Sequence, residues 1–305
     1  MVGRLGGGAG LSTALRRLSR ALYAHPRGRL GLLLGPAVFW LLVFYVVALV
    51  LLLMTSLWQQ DVFTAELVRK WTLSNYDKLF SGEGGLWLRV FLRTVGLAAA
   101  VTAICIALAF PLAWFMARVA KPKWRTLLFL AVVVPLWSSV LVRIFSWRTI
   151  LGGQGLLNQI LVDVGLLGKP SSAFLFNEGS LVITWANVFL PFMVLPIYTA
   201  LEKIPDSYVE ASRDLGAGSL HTFRRVIFPL AFPGVVAGSI FVFSLTMGDF
   251  VAPQLVGGKS QVLGGVIAKK FLEDTAFGAA LASLTLVALV AFLAVSRRAG
   301  ALEAL

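Results

Sequence analysis

Six apolar stretches, each long enough for a helix to cross a hydrocarbon core, constrain this chain more than any other feature. They cover residues 30–57, 94–117, 126–145, 180–200, 232–250 and 277–295. A core of ~30 Å takes about 20 helical residues, and inside it only helices or closed barrels satisfy their own backbone groups. The expected fold is therefore an all-α membrane protein with six transmembrane helices. Composition agrees, with 58% hydrophobic and 13% charged residues against roughly a quarter charged in soluble domains. The first stretch is too long for a cleaved signal segment and lacks a small-residue cleavage site, so it reads as a retained span.

Six spans put both ends on one side, and the basic residues say which. One side takes the arginine-rich tail (Arg4, Arg16, Arg17, Arg20, Arg27, Arg29), the connection ARVAKPKWR (117–125), the loop after the fourth span, and Arg297 with Arg298. That is sixteen of the 27 basic residues but only five of the 14 acids. The positive-inside rule makes this side cytoplasmic. The expected organisation is a basic cytoplasmic tail over 1–29, a six-helix membrane domain over 30–296 with a cytoplasmic loop at 201–230, and a short cytoplasmic tail over 297–305. The net charge of +13 thus marks topology; no compact basic domain for nucleic acid is present. The bland partner of the N-terminal arginines is cytoplasmic-leaflet lipid.

Outside, Trp58, Trp71 and Trp87 in the connection 56–88 suit an interfacial belt. Residues 152–179 hold a short amphipathic piece, 156–164, between glycine clusters. Pro111, Pro135, Pro191 and Pro196 imply bent helices whose freed carbonyls neighbours must satisfy. Gly234 and Gly238 form a small-xxx-small pair suited to close helix packing.

Catalytic chemistry has little to work with. Cys105 is the single cysteine and lies in an apolar run, and His25 and His221 lack carboxylate or cysteine partners nearby, so a metal site or activated nucleophile is not expected. The segment VGGKS (256–260) ends like a P-loop, but the motif wants glycine where Pro253 stands, and no strand precedes it. Ser244 and Ser260 have no histidine within reach. The chain is expected to be no enzyme by itself. A self-sufficient secondary transporter is disfavoured too, since neither inverted repeats nor several buried ionisable residues are visible.

One segment breaks the apolar pattern: EASRDLGAGSLHTFRRVIFPLAFPG (210–234). Pro205 opens the loop, Asp206 or Ser207 is placed to cap a helix, and 208–215 gives about two turns before Gly216, which suits a left-handed terminus. Ala211 and Leu215 share a face able to dock into a groove, and Glu210 with Asp214 forms an acidic row. Ser212 and Ala217 are small enough for close backbone approach. A second helix starts near Ser219, hinged into the fifth span by Pro229 and Pro233.

Glu210-Ala211-Ser212, three residues, Gly216, nine residues and Val226-Ile227-Phe228-Pro229 resemble the EAA motif of ABC-importer permeases, with Ser212, Val226 and Phe228 as departures. PLWSSVLVRIFSWRTILGGQGLLN (135–158), LPFMVLPIYTALEKI (190–204) and GDFVAPQLVGG (248–258) resemble the spermidine/putrescine (PotB/PotH) type. Thr275-Ala276 stands where that type usually has Trp-Pro. The resemblance implies a type I ABC-importer permease fold in a bacterial inner (plasma) membrane, with Glu210, Ala211, Ser212, Asp214, Leu215 and Gly216 on a coupling helix. It also implies an ABC ATPase dimer that binds ATP and Mg in place of any cofactor here. A second permease, usually an unlike chain, and an extracytoplasmic substrate-binding protein complete the implied set of partners, and transport is by alternating access.

A polyamine path should offer carboxylates and aromatic faces, because cation–π contacts hold ammonium groups without trapping them. Intramembrane acids are functional candidates by default, so Asp249 ranks first and Glu178 second, with Trp137, Trp147 and Trp185 as ring candidates. Ferric iron, thiamine or an aminophosphonate is the alternative cargo; an anionic one would favour Arg143 or Arg148.

Overall fold

The computed structural model describes residues 26–61, 64, 66–81, 85–258 and 261–298, with side chains from residue 34 onward. Most of the arginine-rich tail, His25, Lys259 and Ser260 therefore lie outside the described residues. The chain divides into two units, at Thr55 and Ser56. In the first, helix α1 (Pro26–Leu41) continues through a wider turn, Leu42–Val47, into α2 (Ala48–Ser56). Residues 34–56 make one apolar span with none of its most apolar window buried, so its outer surface is matched to lipid or to another membrane chain.

The second unit opens with a hairpin, β1 (Gln59–Gln60) against β2 (Leu67–Val68), antiparallel with Gln59 opposite Val68. Then follow α3 (Ser74–Ser81), α4 (Leu86–Trp114, prolonged by a wider turn Phe115–Val119), α5 (Pro122–Trp137), α6 (Val140–Leu151) and α7 (Leu156–Asp163). Last come α8 (Glu178–Glu202), α9 (Asp206–Asp214), α10 (Ser219–Thr222), α11 (Phe228–Gly248), α12 (Val251–Leu255), α13 (Leu263–Glu273) and α14 (Thr275–Arg298).

The core is a three-helix contact of α4, α8 and α11. On α4 the buried residues are Val90, Thr94, Ala98, Val101, Thr102, Cys105, Ala109 and Ala113, a helical stripe of small side chains that lets neighbours approach closely. Gly234 and Gly238 of α11 make the close helix contact expected of them, and the partner is α8. A Cβ at Gly234 would fall 2.6 Å from Ala200 Cβ, and one at Gly238 2.6 Å from Met193 Sδ and 3.1 Å from Met193 Cα. A second cluster packs Leu79, Phe243, Met247, Leu263, Phe277 and Leu281 around α14, with Phe243 stacked on Phe292 at 4.2 Å.

Among the described residues, five helices are long and apolar enough to span, and a bent pair makes a sixth if counted as one crossing. That pair corrects the single helix expected over 126–145. Helix α5 stops at Trp137, and the chain turns by 100° into the segment Val140–Asp163. Pro135 closes α5, and Ser138 donates through both its N–H (3.1 Å) and Oγ (2.7 Å) to the Pro135 carbonyl, local bonding that competes with helix continuation. The fifth span also differs. It runs unbroken from Ser219 to Gly248 over 30 residues, because a wider turn at Phe223–Ile227 absorbs the missing donor of Pro229 that would otherwise break the helix. The second span begins at Leu86 rather than near Thr94, since Trp87 packs edge-on against Phe277 at 5.4 Å.

Candidate coupling loop and translocation path

The loop at 201–230 folds much as its residues dictate. Pro205, in extended backbone, leads into α9, which spans nine residues. Neither Asp206 nor Ser207 caps it: Asp206 is its first helical residue, and Pro205 holds the capping position without a side-chain bond. At the other end Ala217 N–H donates to Ser212 O (3.0 Å) and Gly216 N–H to Arg213 O (2.8 Å). This is a Schellman closure, and Gly216 carries the required positive φ of 78°.

Glu210, Ala211, Arg213, Asp214 and Gly216 are exposed, and Leu215 is 88% exposed. Such a leucine beside an acidic row presents an apolar knob with a charged rim. Ser212 lies on the inner face, its hydroxyl 2.9 Å from that of buried Thr222, so it ties α9 to α10 rather than facing outward. Phe223 then meets Phe110 at 5.6 Å and Trp114 at 6.0 Å, both edge-on, which fastens the loop to α4.

Two arginines from the 118–125 connection, valued in the sequence only as topology markers, also hold this loop. Arg118 pairs with Asp206 and donates to Leu201 O and Ile204 O. Arg125 donates to Tyr198 Oη (2.7 Å) and pairs with Glu202, its guanidinium 5.5 Å from the Tyr198 ring centre. Beside them α8 and α11 border a cavity of about 690 Å³, lined by Pro196, Thr199, Ala200, Tyr208, Pro233 and Gly234 among others.

At the far end of α11, Asp249 stops the helix. Its carboxylate accepts from Trp185 Nε1 (2.6 Å), Val251 N–H (3.0 Å) and Ala252 N–H (3.2 Å). Among the described residues no cationic side chain pairs with it; its protein partners are three N–H dipoles. The surrounding backbone is tight: a Cβ at Gly264 would fall 2.4 Å from Asp249 O.

Of the five path candidates, the structure brings only Asp249 and Trp185 together. Trp185 is wholly buried, so it offers no ring face to a path; what it supplies is the indole N–H. Glu178 begins α8 and is already paired with Arg93, Nε to Oε1 2.6 Å, which spends its charge. Trp137 is 86% exposed at the end of α5, and Trp147 is half-buried with its N–H on Asn187 Oδ1 at 3.0 Å. Arg143 donates to Val188 O at 3.0 Å, and Arg148 lies 5.9 Å over the Phe176 ring. In the loop before α14, Thr275 N–H donates to Gln60 Oε1 and Phe277 N–H to Asp274 Oδ1, so Asp274 caps α14 where the Thr275-Ala276 departure falls.

Residues 109–301 match the family of binding-protein-dependent transport system inner membrane components. The chain belongs to that family. It is 36% identical over 286 residues to the inner membrane ABC transporter permease protein YdcU of Escherichia coli (strain K12), covering 90% of each. It is 37% identical over 251 residues to the spermidine/putrescine transport system permease protein PotB of the same organism, covering 81% of this chain and 88% of that one. A bacterial alginate ABC transporter solved with its alginate pentasaccharide-bound periplasmic protein has the same fold, with a TM-score of 0.68 at 15% identity over 92% of this chain and 96% of that one. The inward-facing MetNI methionine ABC transporter aligns at 0.53 and 15% identity over 70% and 94%. The chain is thus an ABC-importer permease of the inner membrane, a non-catalytic subunit, and membership implies an ATPase and a substrate-binding protein as partners.

Proposed function

We propose that this permease imports polyamines, spermidine or putrescine, by alternating access driven by a separate ATPase that seats the exposed face of α9. What carries the reading is the 37% identity to PotB over most of both chains. The site chemistry supports it. Asp249 presents a carboxylate without a countercharge at the outer end of α11, a place where an ammonium group finds an unspent anion. The candidate cations for an anionic cargo, Arg143 and Arg148, are turned onto a carbonyl and a ring instead.

In this reading both termini are cytoplasmic, α9 lies in the cytoplasm with the 118–125 connection, and Asp249 lies near the outer surface. ATP binding closes the ATPases, draws the coupling helices together and opens the path outward. Turning such an equilibrium from 1:99 to 99:1 takes about 5.5 kcal/mol of differential interaction. A second, unlike permease completes the path.

The test is uptake of labelled spermidine and putrescine in source cells deleted for this chain, other polyamine systems being removed, with and without its restoration. Loss and recovery support the reading. Unchanged uptake moves the cargo to ferric iron, thiamine or an aminophosphonate and leaves the importer class intact.

A further inference from the structure

We propose that Arg118 is a positioning residue for energy coupling: its guanidinium makes the coupling helix move with the second span instead of swinging as a free loop. The inference rests on the coupling role given to α9 above.

Arg118 sits in the wider turn Phe115–Val119 that ends the second span, and its side chain is only 14% exposed. Nη2 donates to Leu201 O (2.8 Å) and to Ile204 O, while Nη1 pairs with Asp206. The three acceptors belong to the last turn of α8, to the turn at residues 203–205, and to the first residue of α9. One planar group therefore joins three consecutive pieces of chain to a fourth.

The site has physical reason to want a cation. The last carbonyls of a helix lack intrahelical partners, and the end of α8 is the negative pole of its dipole. A guanidinium meets two carbonyls and a carboxylate at once through its fixed fork, whereas an ammonium is a point charge on a flexible stem. The Nε of Arg118 is buried without a partner, so the side chain holds this position through its Nη contacts alone. Among the described residues Arg125, the other arginine of the connection, reaches α8, through Tyr198 and Glu202, and not α9. Arg118 is the one that reaches α9.

The experiment uses the full complex in proteoliposomes, comparing Arg118→Lys, Arg118→Ala, Asp206→Asn and Glu210→Lys. Basal ATP hydrolysis, hydrolysis stimulated by substrate-loaded binding protein, uptake and ATPase co-purification are measured. For Arg118→Lys the expected result is unchanged co-purification and basal hydrolysis, with stimulation and uptake lowered about tenfold. Asp206→Asn should lose less than about fivefold, because Asp206 is 82% exposed and its pair is screened. A merely structural arginine would lower all readouts with protein yield and leave their ratio alone. If Arg118→Ala fails to accumulate, Arg118→Lys decides. Full stimulation in Arg118→Lys overturns the inference, and so does loss of ATPase co-purification, which would make Arg118 part of the docking surface. If Glu210→Lys retains both uptake and co-purification, the coupling reading itself fails; if Glu210→Lys is defective and Arg118→Lys is normal, only the present inference falls.

Discussion

Asp249 has two separable attributes, a set of hydrogen bonds and a charge, and a pair of substitutions pulls them apart. Trp185→Phe removes one donor and leaves the carboxylate charged. The lost 2.6 Å bond is charge-assisted, and such bonds contribute about 1.5–3 kcal/mol; the wholly buried indole also leaves a small void, of order 1 kcal/mol. Asp249→Asn keeps the shape but only one acceptor oxygen. Val251 N–H now uses Oδ1, while Trp185 and Ala252 use Oδ2, so at least one part-buried donor is orphaned, at up to about 1–3 kcal/mol. Both variants should therefore lower the thermal midpoint in detergent by comparable amounts. Only the asparagine variant removes the charge. Two unit charges at 4 Å and an effective dielectric of 20 interact by about 4 kcal/mol, and a third of that is about tenfold in rate. Maximal uptake of labelled putrescine at saturating binding protein should fall at least tenfold in Asp249→Asn and much less in Trp185→Phe. Equal losses in the two variants, or an unchanged rate in Asp249→Asn, would refute the claim that the charge engages the cargo.

Glu210→Lys and Gly216→Trp are expected to abolish uptake while the chain stays membrane-inserted: the first reverses the rim charge, and the second forces a side chain into φ +78°, at about 1–2 kcal/mol, on the face proposed to dock. Unimpaired uptake in both would remove α9 from the coupling path. Gly238→Leu should destabilise by about 1–3 kcal/mol, because its Cβ would meet the Met193 backbone at 3.1 Å; an unchanged thermal midpoint would mean that α8 and α11 pack less tightly than described. The Lys270 hydrogen bond holds the Glu273 carboxyl below its usual range, so its contribution is present above the ordinary carboxylate pKa and lost as pH falls through the lowered value. Glu273 is exposed, so Glu273→Gln should leave the midpoint at pH 7 where it is; a clear drop would reveal burial of that pair in the assembled complex.

What was legible in the sequence was what local chemistry decides. Helix α9 and its left-handed Gly216 follow from eleven consecutive residues, and the close helix contact at Gly234 and Gly238 follows from spacing, though only the packing shows that α8 makes it. The break at Ser138 was half-signalled by Pro135, but whether a proline kinks or ends a span depends on the packing around it. Arg118 was not legible, since its acceptors lie 83 to 88 residues along the chain and its basic charge had a sufficient topological explanation. Trp185 and Asp249 were each singled out, yet their bond spans 64 positions. Only packing reveals that the ring is buried and the N–H is the working group.

The Trp185–Asp249 bond gains meaning from where the two helices go. Helix α11 with its N-terminal extension runs 30 residues from Ser219 to Gly248, about 45 Å at 1.5 Å per residue, and links the loop at one end to Asp249 at the other. Helix α8 runs 25 residues between Glu178 and Glu202, with Trp185 two turns from its N-terminal end and the Arg118 and Arg125 contacts at its C-terminal one. Gly234 and Gly238 seat these rods so closely that neither slides without moving Met193 and Ala200. In the proposed cycle, a push on α9 therefore tilts α8 and α11 as one body, and the carboxylate at their outer junction is carried with it. The same geometry explains why a loop mutation and an Asp249 mutation should share a transport defect while having no residue in common.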